Sequence, residues 1–357
     1  MFHITKKEVL APGRDTLMRI VAALCALASA AVVLALLGYN PFAVYAKIVE
    51  GSLGSAYRLK ETIHKVIPLV VLSLGIAVAF KMKFWNIGAE GQFYMGAFGA
   101  SLVAFGLKEL PSYLMLPLMF GCGALCGGLW ASIPALLKSR LGTNETLVTL
   151  MLNYIAIKWI SYLQYGPWKD PRAGGFPRIP AYPDAAVLPS VLGVHMGWII
   201  ALVLAALVYL LLGRTKLGYE IAVLGESETT ARYAGISVTR VTLMAILISG
   251  GLCGIAGMMQ ASAIEQSLSD QLSGGLGFTA VITTWLARLS APGIVVVSFL
   301  FAMLLQGGSY LQSAMQIPSS VSGILQGIIL FFVLGSEFFI QYSIVFKKKA
   351  AAREGKA

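Results

Sequence analysis

The segment Phe84-Trp85-Asn86-Ile87-Gly88-Ala89-Glu90-Gly91-Gln92 sets one carboxylate, two amides and two glycines between long apolar runs, 66–80 before it and 93–107 after it. A carboxylate so near a bilayer is costly unless it faces water, protein or a substrate path. Glycines in such a place allow unwound backbone or close helix approach. Asn153 stands one helical turn after Thr149, Thr283 one turn after Thr279, and Gln306 and Gln326 lie in later apolar runs. Hydroxyls and amides supply both donors and acceptors, the chemistry that suits a polar, uncharged solute. For each of these residues interhelical hydrogen bonding is the competing reading. A relay of embedded Asp, His and Lys, such as a proton-coupled carrier uses, is not seen.

Composition places these groups in a membrane protein. Of 357 residues 57% are hydrophobic and 12% charged, against about 25% charged in soluble domains. Apolar runs of spanning length predict an all-α polytopic helix bundle of ten spans, near 20–40, 64–80, 91–107, 112–137, 145–162, 196–213, 241–264, 276–289, 291–311 and 318–338. Lys158 interrupts the fifth and the eighth is short, so a broken or re-entrant segment is the alternative for each. No cleavable leader pattern precedes the first span. Most of the 27 Lys and Arg fall inside if both termini are cytoplasmic, as orientation by basic residues requires; Lys158, Lys169, Arg172 and Arg178 run against that assignment. The expected divisions are a cytoplasmic segment 1–19, a transmembrane domain 20–338 and a basic cytoplasmic tail 339–357.

Two polar segments interrupt the spans. The outer loop, 163–195, carries six of the chain's 14 prolines between residues 166 and 189, a density that favours stiff, extended backbone. It reads either as a connector or as a landing surface for an external partner. The inner loop, 213–240, offers Ser227 as the cap of a short helix opening at Glu228, with Gly235 as its stop. A capped amphipathic helix on that face looks built to dock.

Small-residue pairs, Gly96/Ala100, Gly123/Gly127, Gly250/Gly254 and Gly323/Gly327, read as helix packing. Cys25, Cys122, Cys126 and Cys253 lie in apolar runs and predict neither a disulfide nor a metal site. The three histidines, His3, His64 and His195, stand beside no candidate nucleophile, and neither a hydrolase motif nor a phosphate-cradling Gly-x-x-x-x-Gly-Lys loop occurs. The formal charge of +11 follows from orientation and tail and calls for no nucleic acid.

Residues 86–92, Gly142-Thr143-Asn144-Glu145, Thr149-Leu150-Met151-Leu152-Asn153-Tyr154 and Ala231-Arg232-Tyr233-Ala234-Gly235-Ile236 together resemble the permeases of nucleoside and simple-sugar ABC importers, in the superfamily of ribose and branched-chain amino-acid permeases. The resemblance runs from about residue 60 to 335. It implies a bacterial inner-membrane transport subunit that is not itself an enzyme and binds no cofactor, with ATP held by a separate cytoplasmic ATPase. It also implies a second, non-identical permease and an extracytoplasmic binding protein of the basic membrane lipoprotein type. Asn86, Glu90, Gln92, Asn153, Thr279 and Gln306 would then line the translocation path or its gate. Glu220, Gly225, Glu226, Ala231, Ala234 and Gly235 would couple to the ATPase. The chain departs from the family at Ser227, where Asn is usual, and at Thr283-Thr284-Trp285-Leu286-Ala287, where a small aliphatic run ending in Gly is usual; the indole bears on cargo. The expected cargo is a nucleoside. A simple sugar, a branched-chain amino acid and an ion-coupled carrier are the alternatives, and a cargo-free membrane scaffold is disfavoured by the docking loop.

Overall fold

The computed structural model describes residues 2–6, 12–318, ten positions between 320 and 335, and 342–346; side chains are described from residue 21 to 335 at these positions, with residue 23 excepted. Gln326 and most of the tail 339–357 lie outside the described residues. Polar caps start many of the helices. Asn40 Oδ1 accepts the N–H groups of Phe42 and Ala43, Ser55 that of Arg58, Asn144 those of Thr146 and Leu147, and Thr215 that of Gly218. Each satisfies donors that the first helical turn leaves without partners.

The described residues fall into two compact units, residues 1–51 with 307–357 and residues 52–306. The first holds α1 (Pro12–Leu36) and most of α2 (Pro41–Leu53). Gly38, at φ 84, ends α1, and the chain turns so that Leu24–Leu36 and Pro41–Leu53 meet at 114°. Tyr45 donates to the Leu27 carbonyl across that bend at 2.6 Å. Two terminal strands, β1 (Phe2–Lys6) and β4 (Tyr342–Phe346), pair antiparallel with Phe2 opposite Phe346.

The second unit carries α3 (Ala56–Lys81), α4 (Ala89–Gly106), α5 (Ser112–Leu141), α6 (Glu145–Tyr165), α7 (Gly197–Arg214), α8 (Lys216–Glu226), α9 (Glu228–Tyr233), α10 (Val238–Gln260), α11 (Leu276–Leu286) and the larger part of α12 (Ala291–Met315). Helix α10 packs on α3, α4 and α5, and α11 on α3 and α4. Helix α3 is buried almost all round from Ile67 to Phe80. The three-way seam of α4, α5 and α10 is made of glycine. A Cβ on Gly96 would collide with the Gly254 backbone, and one on Gly127 with the Gly250 carbonyl. Backbones that close leave no room for side chains and gain dispersion contacts instead. The pairs at Gly96, Gly123, Gly127, Gly250 and Gly254 therefore do pack helices, whereas a Cβ on Gly323 or Gly327 would meet nothing within 4 Å.

Six helices among the described residues are long and apolar enough to cross a membrane, α3, α5, α6, α7, α10 with its continuation to Glu265, and α12, or seven if the bent pair counts as one span. The fifth expected span is a continuous helix of 21 residues despite Lys158. The third, α4, has 18 residues, but Glu90, Gln92 and its glycines dilute its apolar character. The eighth is not a full span. Its 11 residues make about 17 Å of helix, near half of a ~30 Å hydrocarbon core. The tenth, 318–338, is described only in part.

The proline-rich loop is folded back on the helix ends. Trp168 stacks on Phe98 with ring centres 5.5 Å apart, Tyr182 shares a 2.6 Å hydroxyl contact with Ser101, and burial raises the Tyr182 phenol above its ordinary pKa. A two-residue hairpin, β2 (Ser190–Val191) with β3 (Val194–His195), leads into α7. At the end of α10 the chain widens into a π turn at Ala261–Glu265 and leaves through Gln266 at φ 48. There Ser262 donates to the Ala186 carbonyl and the Gln266 carbonyl accepts the Tyr182 N–H, tying the loop to α10.

Candidate functional site

The unwound link between α3 and α4 organises the polar interior. Asn86 is 1% exposed, Gln92 1%, Glu90 3% and Asn153 1%, so the structure gathers four of the six expected path residues at one buried place. Asn86 and Gln92 bond reciprocally, with amide nitrogens donating to amide oxygens at 3.2 and 2.9 Å. Asn86 also donates to Ser249 on α10 at 3.2 Å and accepts the Gly88 N–H at 3.0 Å. Asn153, from α6, uses both ends of its amide. Its oxygen accepts the Gly91 N–H at 2.8 Å and its nitrogen donates to the Ile87 carbonyl at 2.9 Å. Thr149, one turn earlier, accepts the Ile87 N–H at 3.3 Å. Backbone groups exposed by unwinding need partners when buried, and these side chains supply them.

Glu90 reaches a different element. Its Oε2 accepts the N–H of Gly277 at 2.7 Å, in the first turn of α11. Glu90 also stands in the first turn of α4, so one acidic group serves the positive ends of two helices. Further along α11, Thr283 bonds the Ser73 hydroxyl and Thr284 donates to the Ser73 carbonyl at 3.0 Å. Thr279 turns back on its own helix, donating to the Gly275 carbonyl at 3.3 Å. Gln306 is half-buried on α12 and shares no hydrogen bond with this network. Sequence reasoning missed Ser73, Ser249 and the Gly277 amide. A serine amid glycines on a helix resembles packing, and a backbone donor leaves no trace in a residue type.

At the α8–α9 end, Ser227 accepts the Thr230 N–H at 3.2 Å, and Gly235 follows α9 at φ 74. Gly225 and Ala231 face inward; a Cβ on Gly225 would collide with the Lys81 carbonyl at the end of α3. Glu226, Ala234 and Gly235 are exposed, and Glu220 is half-buried with its carboxylate 3.7 Å from Lys216. Tyr233 is 90% and Tyr219 66% exposed, two large rings on one short helical pair. Between this pair and the α3–α4 link lies a cavity of about 340 Å³ lined by Lys83, Lys138, Glu228 and Arg232 among others. Lys138 pairs with Glu145 at 2.6 Å and lies 5.0 Å over the Phe84 ring. The α8–α9 pair therefore abuts the same link whose other end holds Asn86 and Glu90. Beside it, Trp85 and Trp285 stack with ring centres 5.2 Å apart, and Phe80 packs on both.

The arrangement brings together the half-length helix α11, an unwound link, polar groups that join them, and an exposed helical pair. Its groups can donate, accept and orient hydrogen bonds. Residues 59–334 match the family described as "Branched-chain amino acid transport system / permease component". Glucose ABC transporter permease protein TsgB13 of Haloferax volcanii is 32% identical over 90% of this chain and 87% of its own. Guanosine ABC transporter permease protein NupP of Bacillus subtilis is 30% identical over 94% of this chain and 97% of its own. Bacillus subtilis holds a second relative, guanosine ABC transporter permease protein NupQ, 28% identical over 60% of this chain and 70% of its own.

Proposed function

The chain belongs to the branched-chain amino acid transport system / permease component family, a group of multi-pass transport subunits that includes ribose- and nucleoside-type ABC permeases, and from that premise we propose that it forms the inward path of a nucleoside importer. The observation that carries this reading is the alignment with a guanosine permease across nearly the whole of both chains. The stacked Trp85 and Trp285 rings add physical support, since a nucleobase presents a flat π face that indole can stack on. Hydroxyls and amides near the link suit a ribose.

In this reading both termini and the α8–α9 pair are cytoplasmic, and the proline-rich loop faces outward. A partner ATPase binds and hydrolyses ATP and engages the exposed face around Tyr219, Tyr233 and Gly235. Its stroke passes through Gly225 to the end of α3 and so to the 82–88 link. Asn86, Glu90, Gln92 and Asn153 act as the latch that holds the link and α11 in register, with Thr279 and Gln306 nearer the solute. A second, non-identical permease completes the pore, a reading supported by the presence of two different guanosine permease proteins, NupP and NupQ, in one organism. An extracytoplasmic binding protein delivers the solute to the outer loop.

Uptake of labelled guanosine, uridine and ribose, in cells with and without the chain and with ATP intact or depleted, tests the proposal. ATP-dependent nucleoside uptake that vanishes with the chain is the expected result. A second reading, a simple-sugar permease, has its own support in the 32% identity to a glucose permease. Lost ribose or glucose uptake with nucleoside uptake intact would select it.

A further inference from the structure

Two imidazoles meet at the loop end of the helical bundle, and neither takes part in the latch or the coupling segment. His64 stands two turns into α3, and His195 ends β3. Their ring centres are 5.2 Å apart, inclined at 44°. His195 is 5% exposed. Three of the four ring nitrogens, Nε2 of His64 and both nitrogens of His195, are buried without a hydrogen-bond partner. Buried polar atoms are nearly always paired, and exceptions ask for a reason.

The surroundings orient both rings. Glu61 Oε1 lies 3.8 Å from His64 Nδ1, beyond hydrogen-bond distance but near enough for its charge to favour the proton on that side of the ring. The Nδ1–Cε1 edge of His195 rests on Gly197, where a Cβ would stand 2.6 Å from it, so Gly197 is what allows the ring its place. Both histidines line a cavity of about 490 Å³ with Asp184, Gly193, Ala263 and Gln266. Lys60 lies against Gly193 on the rim.

We propose that His64 and His195 form a binding site for a first-row transition ion of the zinc type, each ligating through Nε2. The spacing fits. Two imidazoles on one tetrahedral zinc, with Zn–N distances of about 2.0–2.1 Å, put their ring centres roughly 5 Å apart. Nitrogen ligands select zinc, copper or nickel over magnesium and calcium. No third His, Cys, Asp or Glu completes the set among the described residues, so two positions are left to water, fewer protein ligands than the three or four of resident zinc, and the ion would be held weakly. An ion held by both rings would pin the hairpin before α7 to α3 and so fasten the proline-rich loop.

The test is a calorimetric titration of Zn²⁺ into the tag-free, full-length chain in detergent micelles. One ion per chain is expected, with Kd at least tenfold weaker in His64→Ala and in His195→Ala and unchanged in His3→Ala. Glu61→Gln should weaken binding less than either. Because His195→Ala opens a buried space, His64→Gln serves as the variant of similar size, and gel filtration checks that each variant remains monodisperse. Zn²⁺ should raise Tm in the parent chain and not in His64→Gln. Absence of saturable binding in the parent chain, or binding that His64→Gln and His195→Ala leave intact, overturns the assignment.

Discussion

The Glu90 carboxyl group accepts the Gly277 N–H at 2.7 Å across 187 residues of sequence. That single bond joins the first turn of α4 to the first turn of α11, and each helix presents its positive end to the same acid. Helix α11 is too short to span and is entered through a loop whose fold depends on α4. The Tyr94 hydroxyl donates to the Asp270 carbonyl at 2.8 Å and accepts the Ser273 N–H at 3.2 Å. Glu90 therefore holds a half-length helix beside the unwound link.

Replacing Glu90 separates charge from hydrogen bonding. Glu90→Ala leaves the buried Gly277 amide without its acceptor, at a cost of about 1–3 kcal/mol. Glu90→Gln keeps an acceptor and loses only the charge at the helix ends, roughly 0.3–2 kcal/mol. Thermal unfolding in detergent should rank the parent chain above Gln and Gln above Ala, with uptake in the same order. Equal Tm for parent and Ala would mean the bond does not hold α11.

The glycine seam predicts a contrast between two substitutions of the same kind. Gly96→Ala drives a methyl into the α10 backbone at Gly254 and should sharply lower the amount of folded protein in the membrane. Gly121→Ala, on α5, meets nothing within 4 Å and should be neutral or gain up to about 1 kcal/mol from helix propensity. Yield and Tm of the two variants side by side check the argument.

Much of this was legible because it is local. Thr149 and Asn153 share a face by spacing alone, and both do bond the 86–92 link. Ser227 and Gly235 bracket α9 as their residue types require. What stayed hidden is relational. The partner of Glu90 is a backbone amide with no residue signature, and Ser73 and Ser249 look like small packing residues until α11 and the link reach them. Helix α2 was missed for a different reason: an apolar run with Asn40 and Pro41 after Gly38 reads equally as the end of one span or as a cap starting another. The residues expected to dock divided the same way, since inward Gly225 and Ala231 and outward Glu226, Ala234 and Gly235 share one segment but not one face.

Asn153 is a second point where donor and acceptor roles can be split. Asn153→Asp keeps the acceptor for the Gly91 amide but sets a carboxylate oxygen against the Ile87 carbonyl, which then lacks its donor. A loss of about 1–3 kcal/mol is expected from that unpaired carbonyl, with further loss from repulsion. Asn153→Gln, which keeps the amide but moves it by one methylene, should cost less. Denaturation midpoints of the two variants decide the order.

Trp285 tests cargo. Its indole stacks on Trp85 with ring centres 5.2 Å apart, and stacking of an aromatic side chain on a base contributes about 1–3 kcal/mol in proteins that bind single-stranded nucleic acid. Trp285→Leu should lower guanosine uptake roughly tenfold or more by that figure and leave ribose uptake near the parent level. Equal loss for both solutes would assign the stack to gating or packing rather than recognition.

Gly235 carries the coupling prediction, and its conformation supplies the control. At φ 74 with nothing within 4 Å of where a Cβ would stand, it has space for a side chain but a backbone that L residues avoid, at about 1–2 kcal/mol. Gly235→Val should leave the bundle folded and reorient the exit of α9, where Tyr233 is 90% exposed. In proteoliposomes with the partner ATPase, hydrolysis should persist while uptake falls at least tenfold. Gly174→Val imposes the same kind of strain in the proline-rich loop, at φ 58 and equally open, and should leave hydrolysis and uptake coupled. If Gly235→Val also transports normally, the exit of α9 does not transmit the stroke, and the inward contact of Gly225 with the end of α3 becomes the position to change next.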